Sequence, residues 1–133
     1  MLVYGRDRDV ARWVGERLDV FDFGPCSAIG IVRDGHLVAG AVFHQYRHPS
    51  IEMSFASTTP RWASRDVIRA IVRYAFLQLN CRRLTCITPE ENERAITALE
   101  RVGFRREGRH PEALPTGTAV SLGLLRDQAD RWL

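Results

Sequence analysis

Hydrophobic and polar positions change period several times along this chain, and each change marks an element. Val10, Trp13, Val14 and Leu18 recur at helical spacing behind Asp7 and Asp9, acids that favour a helix start, so a helix is predicted over 7–19 after a short strand at 2–4. Gly24-Pro25 breaks the pattern. Two apolar runs, 28–33 and 37–43, flank Asp34-Gly35, the strongest hairpin signal in the sequence. Residues 50–57 then alternate, with Ile51, Met53 and Phe55 on one face and Glu52, Ser54 and Ala56 on the other, as in a fourth strand with one buried side. Past Thr58-Thr59-Pro60 the period lengthens to about 3.6 residues. Ile68, Ile71, Val72, Ala75 and Leu79 then share one face of a helix over 62–79.

The segment 82–88 is apolar at its centre and reads as a strand. Thr88-Pro89-Glu90-Glu91 matches a capping box, with Thr88 as N-cap, Pro89 at the first helical position and Glu91 reaching back. Ala95, Ile96, Leu99 and Val102 line the buried face of the helix that follows, and Gly103 stands where a helix ends in a conformation glycine tolerates. Strands are predicted at 104–109 and 119–125 around a Pro-rich loop at 110–117, with a short helical tail at 126–133. The order is α/β: strand, helix, three-strand meander, helix, strand, helix, strand pair. Strand, helix and strand across 50–88 require a parallel neighbour pair by the crossover rule.

Composition narrows the picture in a few places. At 133 residues the chain is expected to be a single domain, 1–133, with one active site at most. All 19 basic residues are arginine, a bias that a GC-rich genome produces without selection on function. A net charge of +3 does not by itself point to nucleic acid. No long apolar run and no signal-peptide core is present, so no membrane contact and a cytoplasmic location are expected. Cys26, Cys81 and Cys86 lie in no zinc spacing and read as structural thiols. His44 and His48 share a strand parity and are candidates for a base or a metal pair, but an isolated pair is not a metal site and none is predicted.

The stretch from Arg69 to Gly108, RAIVRYAFLQLNCRRLTCITPEENERAITALERVGFRREG, carries the strongest functional signal. A helix closes on Tyr74-Ala75-Phe76, an apolar strand runs over 84–87, Asn92 sits at the start of a second helix, and Gly103-Phe104 stops it before Glu107-Gly108. This resembles the GNAT superfamily of acyl-coenzyme-A-dependent N-acetyltransferases, nearest the subgroup that acetylates protein N-termini and small amines. The ending LLRDQADRWL is also similar to short acetyltransferase-like proteins of bacteriophage and prophage genomes. The resemblance implies a GNAT fold: a mixed, mostly antiparallel sheet of six to seven strands with flanking helices, in which strands 4 and 5 splay apart.

It further implies acetyl transfer from acetyl-CoA to an amine by direct attack. Backbone amides around Arg61, Trp62, Ala63, Ser64 and Arg65, at a helix N-terminus, would hold the pyrophosphate. Phe55, Ala56 and Ser57 would lie along the pantetheine arm, with Asn92 nearby. Tryptophan at 62 and serine at 64 replace the family's loop glycine and final Gly/Ala. Leu99 stands where the family's tyrosine acid would be, and Ala95 where a serine can substitute. Arg61 and Arg65 offer bidentate phosphate contacts, or else join Arg69 and Arg73 in a solvated helix stripe. Glu52 is the candidate general base, since burial near the cleft would raise its pKa, and otherwise a surface strand residue. Ser54 and Ser57 are acid candidates. His110 is expected at the substrate rim. The acceptor would be a small-molecule or protein amine chosen by loops 20–27 and 110–117. Trp132 fits a dimer interface or its own core, leaving monomer and homodimer both open. A second reading keeps the fold without the cofactor, as a module that binds protein or nucleic acid through the arginine stripe.

Overall fold

Seven extended segments collect into one sheet, ordered β1-β2-β3-β4-β5-β7-β6. The computed structural model describes the backbone of all 133 residues and every side chain except that of Trp62. The elements are β1 (Leu2–Tyr4), α1 (Asp7–Leu18), β2 (Cys26–Arg33), β3 (His36–Arg47), β4 (Ser50–Ser57), α2 (Arg65–Arg73), β5 (Arg83–Pro89), α3 (Glu93–Val102), β6 (Arg105–Leu114) and β7 (Gly117–Leu125), followed by a 3₁₀ tail (Arg126–Trp132). Every strand pair is antiparallel except β4 with β5. At the β2–β3 turn Asp34 and Gly35 have φ of 52° and 79°. Both residues are thus left-handed, as a two-residue hairpin matching strand twist requires.

The sheet is covered differently on its two faces. On one face α1 sets Val10 and Val14 against Ala28, Val42 and Ala56 of β2, β3 and β4. It can approach so closely because Gly40 has no Cβ: one built there would lie 2.8 Å from Val14 and 2.9 Å from Val10. On the other face α2, α3 and the tail bury the larger core, including Phe43, Phe76, Leu84, Ile96, Leu122 and Trp132. Trp132 belongs to this core, with its Nε1 donating to the Val102 carbonyl at 2.8 Å.

Three local expectations are corrected. The helix predicted over 62–79 is three pieces: a 3₁₀ turn at Pro60–Trp62, α2 beginning only at Arg65, and a wider π turn at Tyr74–Gln78. Two hydroxyls divide it, because Thr59 accepts from the Arg61 amide and Ser64 from the Val67 amide, each capping its own start. The capping box at Thr88 does not form. Thr88 and Pro89 remain in β5, paired with Val120 and Ala119, and Thr88 is buried. Asn92 caps α3 instead, its Oδ1 accepting from the Ala95 amide at 3.3 Å. Finally, residues 110–114 are not loop. β6 continues to Leu114 through irregular pairing, which an edge strand tolerates even with Pro111 in it.

Candidate functional site

β4 and β5 pair over three rungs only: Ser50 with Arg83, Ile51 with Leu84, and Glu52 with Thr85. Beyond Thr85, β5 follows β7 through Pro89, while β4 stays with β3 through Ser57. Residues 53–57 and 86–89 therefore border a V-shaped cleft in which neither strand pairs with the other. Strand edges of this kind present main-chain donors and acceptors to an extended ligand. The connections from β4 to α2 and from β5 to α3 both leave at the open end, so both helix N-termini lie there.

Glu52 sits on the last closed rung, half-buried, with its side chain on the α1 face. Burial raises its carboxyl above the ordinary 4.5. Across β3 its register partner is His44, whose own partner on β2 is Cys26. His44 is buried, and that burial lowers it below 6.5. Its Nε2 lies 2.8 Å from Ser54 Oγ, on the first stretch of β4 beyond the vertex. The Phe23 ring packs against the imidazole at a centroid distance of 5.1 Å. Phe23 and Cys26 also line an open cavity of about 900 Å³ between α1 and the following loop, walled by Asp7, Arg12, Glu16 and Asp22.

The thiols are not poised as nucleophiles. Burial, then Asp7 and Asp22, raises Cys26, and burial with the Glu52 charge pushes Cys86 up to about 12. Cys81 and Cys86 are core residues. His44 and His48 do not act as a pair. A bulge after His44, with Gln45 at φ 52°, sends His48 toward the Tyr46 hydroxyl at 3.3 Å. Among the described residues no cluster of three or more His, Cys, Asp or Glu could hold a metal.

At the cleft mouth the loop from Thr59 to Ser64 precedes α2. The expectation for a bulky ring at the loop-glycine position concerns the Trp62 side chain, which lies outside the described residues. The helix N-terminus itself is at Ser64 and Arg65 rather than at residue 62. Arg61 is exposed. Arg65 is exposed too, with its guanidinium 5.7 Å from the Trp132 ring centre. Arg69 and Arg73 are exposed further along α2. The Arg33 guanidinium, which the sequence did not single out, donates to the Arg61 carbonyl at 2.7 Å and ties the β2–β3 hairpin to this loop. Leu99 packs partly buried on the core. His110 is on β6 rather than in a loop, 3.0 Å from Ser121 Oγ.

Glu52, Ser54, Phe55, Ala56 and Ser57 follow one another along β4 at and beyond the vertex, and residues 61–65 and Asn92 lie on the connections that leave its open end. A parallel pair that parts after three rungs inside an otherwise antiparallel sheet, with helices on both faces, is the GNAT fold. Solved structures of acetyltransferases share it. Spermidine/spermine N-acetyltransferase SpeG from Vibrio cholerae superposes with a TM-score of 0.75 at 15% identity, covering 98% of this chain and 94% of that one. Ribosomal-protein-S5-alanine acetyltransferase from Vibrio fischeri gives 0.68 at 13% identity over 84% and 68% of the two chains. A probable acetyltransferase gives 0.70 at 21% identity over 91% and 70%. No family model and no curated protein matches the sequence. Among the described residues no helix is long and apolar enough to cross a membrane.

Proposed function

We propose that this protein is an N-acetyltransferase that moves an acetyl group from acetyl-CoA to an amine by direct attack. The observation that carries the reading is the coincidence, at one vertex, of the parted β4 and β5 edges with a desolvated carboxylate, Glu52. Acetyl-CoA would supply the activated acetyl thioester. The residues present fit it: the strand edge at Ala56 and Ser57 would give main-chain partners to an amide-containing arm, and Asn92, on the connection leaving β5, would add a side-chain amide. The amides opening α2, with the exposed Arg61 and Arg65, suit a pyrophosphate. Asp66 in the first turn of α2 opposes an anion there, which leaves more of the attraction to the two arginines.

Glu52 does the chain's own chemistry. An ammonium cannot attack a carbonyl, and a carboxylate whose proton affinity is raised by burial is a better base near neutral pH. Ser54, two residues along the same face, supplies a hydroxyl to the reacting centre. The acceptor would be a small or N-terminal amine entering from the α1 side, and cytoplasmic action fits that substrate class.

Isothermal titration with acetyl-CoA, together with a transfer assay on spermidine and on a peptide with a free N-terminal alanine, tests the reading. Binding should be saturable, and Arg61→Ala or Arg65→Ala should each weaken it about tenfold, the scale of one charge-assisted phosphate contact. A folded protein that binds no acetyl-CoA would instead be a fold-retaining binding module.

A further inference from the structure

We infer that His44, acting through Ser54, is the second proton acceptor of this site, a relay residue on β3 that works beside Glu52. The inference rests on the transferase reading and goes beyond it. An ammonium acceptor gives up two protons as its nitrogen becomes an amide. One carboxylate holds only one of them at a time.

The geometry supplies the second acceptor. Ser54 lies on β4 just past the last closed rung, where a ligand in the cleft can reach its hydroxyl, and its Oγ is 2.8 Å from His44 Nε2. His44 is buried behind it, wedged by the Phe23 ring at 5.1 Å, so the imidazole reaches the cleft through that hydroxyl. Glu52 is directly across the ladder from His44, at a spacing where residues on one face interact. The titratable groups facing the imidazole are Glu52 from β4 and Cys26 from β2. Asp7 of α1 and Asp22 of the following loop act on Cys26. Burial favours a neutral imidazole, the form able to accept a proton, and a neighbouring Glu52 carboxylate compensates the charge once it has done so.

The step balances. Glu52 takes the first proton from the ammonium and releases it to solvent. As the nitrogen lone pair forms the C–N bond, the second N–H proton passes to Ser54 Oγ while the serine's own proton moves to His44 Nε2. The C–S bond breaks, and the imidazolium returns its proton through Ser54 to the departing thiolate. No oxidant or other co-reactant is needed.

The test has one arm that needs turnover and one that does not. With spermidine as acceptor, the acid limb of kcat against pH should reflect two groups in the wild type and one in His44→Gln, with kcat lowered on the order of 100-fold, the usual scale of a lost acid–base group. In ¹⁵N-detected NMR of the ligand-free protein, His44 should carry its proton on Nδ1, leave Nε2 as acceptor, and titrate below 6.5. In Ser54→Ala, which retains the ring, the Nε2 resonance should move. An unchanged two-group limb in an active His44→Gln, or an Nε2-protonated ring donating to Ser54, would overturn the relay while leaving the transferase reading intact. A wild type that acetylates neither spermidine nor the peptide would overturn both.

Discussion

Glu52 occupies a position that costs stability and is useful for chemistry, and the two effects can be measured on one variant. Its carboxyl is raised above 4.5 by burial, so the native protein binds this proton more tightly than the unfolded chain does. The group's stabilising contribution is therefore complete below its unfolded value and is lost as pH rises through the higher folded value. Glu52→Gln should lose activity on the order of 100-fold. In urea unfolding it should match the wild type in acid and become the more stable protein near neutral pH. A variant that is less stable at every pH would mark Glu52 as a structural residue. The alternation over 50–57 made Glu52 legible in the sequence, because period-two patterning assigns its face directly. The His44–Ser54 pair was not. It is a diagonal contact across the β3–β4 ladder, in a register set beside the bulge after His44, and no residue pattern announces either.

At the scale of elements, propensity and period located every strand and helix, and the errors lie at ends where one hydroxyl or amide chooses between partners. Thr88 has the side chain of an N-cap but the burial of a strand residue, and pairing with β7 decided its state. The cap passed to Asn92, whose sequence signal was equally good. The far half of β6, 110–114, was hidden by Pro111, which reads as a loop residue yet is accommodated on an edge. Asn92 would carry two demands: its Oδ1 holds the Ala95 amide, and we propose its Nδ2 as a donor to the coenzyme arm. Asn92→Ser separates them. Serine caps as well as asparagine, so stability should change by no more than about 0.5 kcal/mol. Acetyl-CoA affinity should fall about fivefold, the scale of one neutral hydrogen bond. Unchanged affinity would reduce Asn92 to a cap.

Across the whole molecule the sheet is two half-sheets, β1 to β4 and β5 to β7, joined edge to edge by three rungs and packed together on one face by α2, α3 and the tail. That face was readable from the 69–108 pattern. The parting of the strands was implied by resemblance alone, since no composition records where two strands stop pairing. The architecture predicts where a ligand must register. If acetyl-CoA lies between the parted edges, hydrogen exchange should slow along 53–57 and 86–89, while 50–52 and 83–85, already laddered together, should hardly change. At a ligand concentration 100 times Kd, segments that exchange only after release should slow by about 100-fold, since binding to the native form multiplies the closed population by that factor. The amides opening α2 should slow with them. Protection confined to the exposed arginine face, around Arg69 and Arg73, would place the ligand outside the cleft, and the parted strands would then be an inherited shape with a different use.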